Sequence, residues 1–99
     1  MDLNGKVIVI TGGAQGLGLA TALRLSPKQP HIALIDTKTE TLAEAKQLIE
    51  DAGTTASSWI CNVTQEDEVD QIFNQIAAQT GRLDAVVNNA GITHDSLFL

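Results

Sequence analysis

The sequence predicts an α/β fold built on a doubly wound parallel sheet, and three observations carry that expectation. Short apolar, β-branched runs alternate with longer segments of helical periodicity. The runs are apolar throughout rather than at every second residue, as strands are when helices cover both faces of their sheet. The first run also leads directly into TGGAQGLG, residues 11–18, which places three glycines in a regular frame, Gly12-x-x-x-Gly16-x-Gly18, where a strand turns into a helix.

The elements follow in order. Lys6 to Thr11 is short, apolar, β-branched and ended by glycine, which predicts a buried strand. Gly16 to Leu25 is a good helix-forming segment, and Pro27 and Pro30 then prevent its continuation. His31 to Asp36 is a second apolar strand that ends on an acid. Thr39 to Ala52 predicts a helix with Leu42, Ala45, Ile49 and Ala52 on one face, stopped by Gly53. Ala56 to Cys61 is a third strand. Gln65 to Thr80 is the clearest helix: Val69, Ile72, Phe73, Ile76 and Ala77 form its apolar stripe and Gly81 stops it. Asp84 to Asn88 is a fourth strand, and Asn89-Ala90-Gly91 a turn. The order βαβαβαβ implies right-handed crossovers.

Composition narrows the function classes. With 99 residues, 43% apolar and 18% charged, the chain reads as one small globular domain. A net charge of −6 with scattered basic residues argues against a nucleic-acid surface. No apolar run approaches the roughly 20 residues of a membrane span. Met1 to Lys6 lacks the features of a secretory leader, and the single cysteine, Cys61, cannot form an internal disulfide. Together these predict a soluble cytoplasmic protein. The acidic run Glu66 to Asp70 reads as a helix start after Thr64, where carboxylates complement exposed N–H groups, rather than as a metal site. Cys61 reads as a buried structural thiol, His31 as a strand opener, and Trp59 and Phe73 as core.

The glycine turn carries the chemistry. Ligands of such sheets bind at the carboxyl ends of the strands. A helix N-terminus there offers unpaired N–H groups and about half a positive charge, which suits a diphosphate if no Cβ blocks it. Gly12 permits the tight turn, Gly16 the close approach of the phosphates, and Gly18 the packing of helix on strand; Gln15 and Leu17 lie in the same turn. Asp36 stands 18 residues after Gly18, where a dinucleotide fold places the acid that binds the adenosine ribose. A carboxylate accepts hydrogen bonds from a diol and repels a 2′-phosphate, so Asp36 favours NAD over NADP. The bland alternative for Asp36 is a strand-end residue capping the next turn.

TGGAQGLG, Asp36, Cys61-Asn62-Val63-Thr64 and Asn88-Asn89-Ala90-Gly91 together resemble the short-chain dehydrogenase/reductase family, in order and over nearly the whole chain. The resemblance implies a Rossmann-like sheet of strand order 3-2-1-4. It implies that Asn62 and Val63 meet the adenine, and that Asn89, Ala90 and Gly91 line the ribose and pyrophosphate. Asn88 and Thr11 take structural jobs tying strands together. NVT and NNAGIT-x-D resemble the 3-oxoacyl-thioester reductases within the family. Those reductases commonly have a basic residue where Gln15 stands and usually lack the acid at Asp36, so the cofactor looks like NAD although that branch mostly uses NADPH.

The resemblance further implies hydride transfer between the nicotinamide and a carbonyl/secondary alcohol pair of a small molecule, with an acyl thioester as one candidate substrate. The family's proton donor is a tyrosine phenol, backed by a lysine and a serine, and its members are homodimers or homotetramers. This chain contains no tyrosine. His94-Asp95-Ser96 has the composition of a catalytic triad, but three consecutive residues cannot form its relay. Residues 1–99 are therefore expected to be the N-terminal, dinucleotide-binding part of a single domain whose catalytic part lies beyond them, with no catalytic residue and no metal ligand among them. The alternative is a non-catalytic NAD-binding module.

Overall fold

The structure is a computed structural model of the chain, and it describes residues 2–62 and 65–89. Four strands, β1 (Val7–Thr11), β2 (His31–Asp36), β3 (Ala56–Ile60) and β4 (Ala85–Asn88), form one sheet in the order β3-β2-β1-β4. Every pairing is parallel, with Val9 opposite Ala33 and Val86, and Ala33 opposite Ser57. Three helices connect them: α1 (Gly16–Leu25), α2 (Thr39–Asp51) and α3 (Glu66–Thr80). The sheet order and the alternation agree with the order read from the sequence.

β1 and the interior of β2 are apolar throughout because each has two buried faces. Ile8, Ile10, Ile32 and Leu34 turn to one side, where they meet Ala22 of α1 and Leu42, Ala45 and Ile49 of α2. Val7, Val9, Ala33 and Ile35 turn to the other, where they meet Val69 and Ile76 of α3. Side chains alternate across a strand, so neither face alone leaves a polar residue in the run. Ile10, Ile32, Leu34 and Ile35 are fully buried, each contributing about 1.5–3 kcal/mol of transfer free energy. β4 differs. It is flanked on one side only, by β1, and its Ala85 is exposed while Val86 and Val87 are half-buried.

Several boundaries shift by one residue from the expected ones. β1 and β4 begin one residue later, at Val7 and Ala85, and β3 ends at Ile60, one residue before Cys61. α2 ends at Asp51 with Ala52 as its C-cap, and Ala52 is exposed rather than on the buried face. α3 begins at Glu66 with Gln65 as its N-cap; the Gln65 side chain makes no capping bond, and Thr64 lies outside the described residues. Glu66, Asp67 and Glu68 occupy the first turn of α3, where their charges suit the exposed N–H groups. The α-helix ends at Leu25, as expected ahead of the prolines. α1 tightens into a 3₁₀ turn, Ser26–Lys28, with Pro27 at its start, and Gln29 ends it in the left-handed region at φ 63°. A proline fits there because the first positions of a helix have no intrahelical partner for an N–H. Trp59 and Phe73 are half-buried against the α3-side cluster rather than within it.

The amino ends of β1 and β4 are tied by Asp84. Its carboxylate accepts the Val7 N–H at 2.7 Å, and Arg82 donates to both its oxygens, each at 2.7 Å. The Arg82 guanidinium and then the Val7 N–H hold the Asp84 carboxyl below the usual carboxylate range.

Candidate functional site

β1 delivers the chain into the glycine turn, and the turn is closed by backbone contacts. Gly12 and Gly16 both take left-handed φ, 63° and 61°. Gly18 lies so close to the turn that a Cβ on it would sit 2.2 Å from the Gly12 carbonyl oxygen. The helix therefore packs on the turn itself, just past the end of β1, and any side chain at 18 would push the two apart. Gly16 is the opposite case: a Cβ there would meet nothing within 4 Å. One glycine is demanded by what the protein places against it; the other faces open space.

A glycine missed in the sequence reading is Gly13. A Cβ on it would lie 2.5 Å from Leu34 Cδ2 and 3.0 Å from the Ile10 carbonyl oxygen. Leu34 is fully buried and has little room to yield. The signal was available in the doublet Gly12-Gly13, since a single tight turn requires one glycine only.

Gln15, the N-cap of α1, is extended and exposed, and no side chain caps the helix. The first N–H groups of α1 are thus left without the side-chain partner that a Ser or Asp would provide. Leu17, in the first turn, is 74% exposed. An uncapped helix start, an open glycine and an exposed leucine lie within four residues of one another.

Asp36 ends β2 beside this turn. Its Oδ2 accepts the Ala14 N–H at 3.1 Å and its Oδ1 accepts the Thr37 N–H at 2.7 Å. Asp36 performs the capping job that was its bland alternative, and it binds the glycine turn to β2. The Gly13 N–H to Ile35 carbonyl bond, 3.3 Å, adds a second tie. A carboxylate has about four lone-pair sites, so two accepted bonds leave each oxygen free to accept another.

Asn62 and Asn89 complete the set. Cys61 N–H donates to the Asp36 carbonyl at 2.9 Å, which sets the exposed Asn62 next to the end of β2. Cys61 itself is buried, and burial followed by the Glu68 charge pushes its thiol up. Thr11 organises the other flank. Its hydroxyl donates to Asn88 Oδ1 at 2.9 Å and accepts the Asn89 N–H at 3.1 Å. The tie between β1 and β4 expected of Asn88 and Thr11 thus has a side-chain bond beside their backbone pairing. Asn89 Nδ2 is buried with no hydrogen-bond partner among the described residues. A buried amide that lacks a partner costs about 1–3 kcal/mol, and a ligand acceptor would satisfy it. Val63, Ala90 and Gly91, expected at the adenine and the ribose, lie outside the described residues, as does His94-Asp95-Ser96.

Gly12, Gln15, Gly16, Leu17, Gly18, Asp36, Asn62 and Asn89 thus gather at the carboxyl ends of the strands. The residues fit a dinucleotide: a cradle without Cβ atoms, an uncapped helix start for a diphosphate, and a carboxylate for a diol. A concavity of about 900 Å³ lies at the opposite, amino end of the sheet, between residues such as Lys6, His31, Glu50 and Thr80. It holds none of these features, and we place the candidate site by its donors and acceptors rather than by volume. Among the described residues no helix is long and apolar enough to cross a membrane.

Comparison with known proteins identifies the family. The family model of the short chain dehydrogenases matches residues 6–99. The 3-oxoacyl-[acyl-carrier-protein] reductase of Thermotoga maritima is 34% identical over 99 residues, covering 100% of this chain and 40% of its own length. The crystal structure of NAD+-bound xylitol dehydrogenase superposes with a TM-score of 0.87 at 38% identity, covering 93% of this chain and 35% of that one. A metagenomic short-chain oxidoreductase in complex with NADP superposes with a TM-score of 0.86 at 33% identity, covering 91% and 41%. The chain spans 30% to 40% of the length of curated relatives that it matches. By its sheet order, its glycine turn and these matches, the chain belongs to the short chain dehydrogenase family of oxidoreductases.

Proposed function

We propose that this chain is the NAD-binding part of an oxidoreductase that interconverts a secondary alcohol and a carbonyl. In the forward sense the alcohol carbon loses a hydride to NAD+, the hydroxyl loses a proton, and NADH and the carbonyl form. The nicotinamide supplies the hydride chemistry when bound. The residues of this chain bind and orient it: the N-terminus of α1 and Gly16 receive the diphosphate, Asp36 the adenosine ribose, and Asn62 with Val63 the adenine. Asn89, Ala90 and Gly91 flank the ribose and pyrophosphate. No tyrosine stands in these 99 residues, so the phenol that handles the proton in this reading lies outside them.

One observation carries the choice of NAD. Asp36 holds a carboxylate at the end of β2 beside the glycine turn, where it would face the ribose of a dinucleotide whose diphosphate sat on the N-terminus of α1. A 2′-phosphate at that place would meet a negative charge, and the neighbouring basic residue is only Lys38. Solved relatives hold either cofactor, and Asp36 is what supports NAD in this reading. For the substrate we propose a 3-oxoacyl thioester or its 3-hydroxy counterpart, supported by NVT and NNAGIT in the sequence and by the similarity to the Thermotoga maritima reductase.

The test is calorimetric titration of the protein with NAD+ and with NADP+, repeated on Asp36→Ala. The reading requires tighter binding of NAD+, and a preference that shrinks in the variant. Equal affinities in the unaltered protein, or an unchanged ratio in Asp36→Ala, would remove it.

A further inference from the structure

At the amino end of the sheet, four side chains from β2, β3 and the loop before β3 form a chain of hydrogen bonds. His31 Nδ1 is 2.8 Å from Thr55 Oγ1, and His31 Nε2 is 3.0 Å from Ser57 Oγ. Trp59 Nε1–H donates to the same Ser57 Oγ at 2.9 Å. Register explains the meeting. Ala33 lies opposite Ser57 and Ile35 opposite Trp59. Residues two apart on a strand share a face, so His31, Ser57 and Trp59 lie on one side.

The donors and acceptors select one tautomer. An indole nitrogen only donates, so Ser57 Oγ accepts from Trp59 and keeps one proton of its own to place. If His31 Nε2 is bare, that proton goes to it, and His31 Nδ1–H donates to Thr55. Every donor on the half-buried side is then used, and the hydroxyl proton left over belongs to Thr55, which is exposed to water. If instead Nε2 carried the proton, the half-buried Ser57 hydroxyl would hold the leftover one. The first arrangement leaves the smaller unsatisfied cost.

Protonating His31 destroys that economy. Nε2–H would have to donate to Ser57, whose hydroxyl proton must then turn away from the ring. The titratable groups that line the same hollow are Lys6, before β1, and Glu50, at the end of α2; α3 presents Gln79 and Thr80, and the loop before β2 presents Gln29. Lys6 opposes a second positive charge. Glu50 favours it, and is itself paired with Lys46 at 3.5 Å. Burial lowers the His31 pKa. β3 is the outer strand of the described sheet and pairs with β2 alone.

We propose that Thr55, His31, Ser57 and Trp59 form a proton-sensitive clasp that holds the start of β3 on β2 when His31 is neutral with its proton on Nδ1, and that slackens when His31 takes up a second proton. The device acts on the sheet edge, away from the dinucleotide site, and does not depend on the proposed activity.

Histidine side-chain nitrogen NMR on the uniformly ¹⁵N-labelled protein tests it between pH 8 and pH 5. The clasp requires His31 to be protonated on Nδ1 and bare on Nε2 at pH 8. It requires the Trp59 indole N–H resonance to move in step with His31 as the pH falls, and to stop following it in Ser57→Ala. A His31 protonated on Nε2 at pH 8, or a Trp59 resonance that stays still while His31 titrates, would overturn it. A second measurement compares urea midpoints of the protein and His31→Gln at pH 7.5 and pH 5.5. The unaltered protein should lose more stability than the variant; parallel losses would contradict the slackening. If His31→Gln fails to fold, the nitrogen spectra of the unaltered protein still decide the tautomer and the coupling.

Discussion

The two ends of this sheet are built by the same strands and finished in opposite ways. At the amino end, polar side chains find each other: Asp84 holds Val7 and Arg82, and His31 uses both ring nitrogens on neighbouring hydroxyls. At the carboxyl end, groups remain open. α1 has no side-chain cap, Gly16 faces empty space, and Asn89 Nδ2 has no partner among the described residues. The amino end nevertheless has a hollow of about 900 Å³. Unspent hydrogen-bonding capacity marks a ligand site better than volume does, because a folded chain seldom leaves buried donors unpaired without a use for them.

The contrast can be broken or sharpened by substitution. The largest effect is expected at Gly18. A Cβ 2.2 Å from the Gly12 carbonyl has nowhere to go, so Gly18→Val should cost more than the roughly 1–3 kcal/mol of ordinary overpacking and abolish cooperative unfolding in urea. A variant with the original urea midpoint would mean that helix and turn are not in contact.

Next comes Asp36→Ala. Hydrogen bonds to a charged group contribute about 1.5–3 kcal/mol, so NAD+ affinity should fall roughly 10- to 100-fold. The Ala14 and Thr37 N–H groups also lose their acceptor, so thermal stability should drop with it. Titration calorimetry and a melting curve on one sample separate the two effects.

A matched pair of glycines isolates the site from the fold. Gly16 and Gly81 both have left-handed φ, 61° and 83°, and a Cβ on either meets nothing within 4 Å. Alanine at each should cost about 1–2 kcal/mol of backbone strain. Only Gly16→Ala should also weaken NAD+ binding, because Gly81 closes α3 at the far end of the sheet. Equal affinities in the two variants would place the diphosphate elsewhere.

The smallest effect belongs to Asp84. Its carboxyl titrates lower in the folded chain than in the unfolded one. The stability it provides is present above the unfolded value, near 3.9, and is lost as the pH falls through the folded value. Asp84→Asn should therefore lower the melting temperature at pH 7 and flatten its fall below pH 4, so that the two curves converge in acid. A variant whose melting temperature follows the same acid curve would remove Asp84 as the source.

What the sequence discloses, and what it hides, divides along similar lines. β1 and β2 were legible because both their faces are buried, as Ile8 and Ile10 on one side and Val7 and Val9 on the other demonstrate. The glycine frame was legible because backbone crowding and left-handed φ leave few other residues possible at Gly12 and Gly18. Contacts distant in sequence were hidden. Thr11 and Asn88 are 77 residues apart, and nothing local in either says that one hydroxyl will hold the other's amide oxygen. Asp84 read as an ordinary strand opener for the same reason, since its partner Val7 is also 77 residues away. Helix ends were hidden by chemistry of another kind. Gln65 caps α3 through its backbone angles with no side-chain bond, so it carries no signature to read.

The most direct test of the account is to titrate the ¹⁵N-labelled protein with NAD+ and follow its amide resonances. The account predicts that shifts gather at Gly12 to Gly18, Asp36, Asn62 and Asn89, with Thr55, Ser57 and Thr80 unmoved. Shifts gathered around Thr55, Ser57 and Thr80, or none at saturating NAD+, would contradict it.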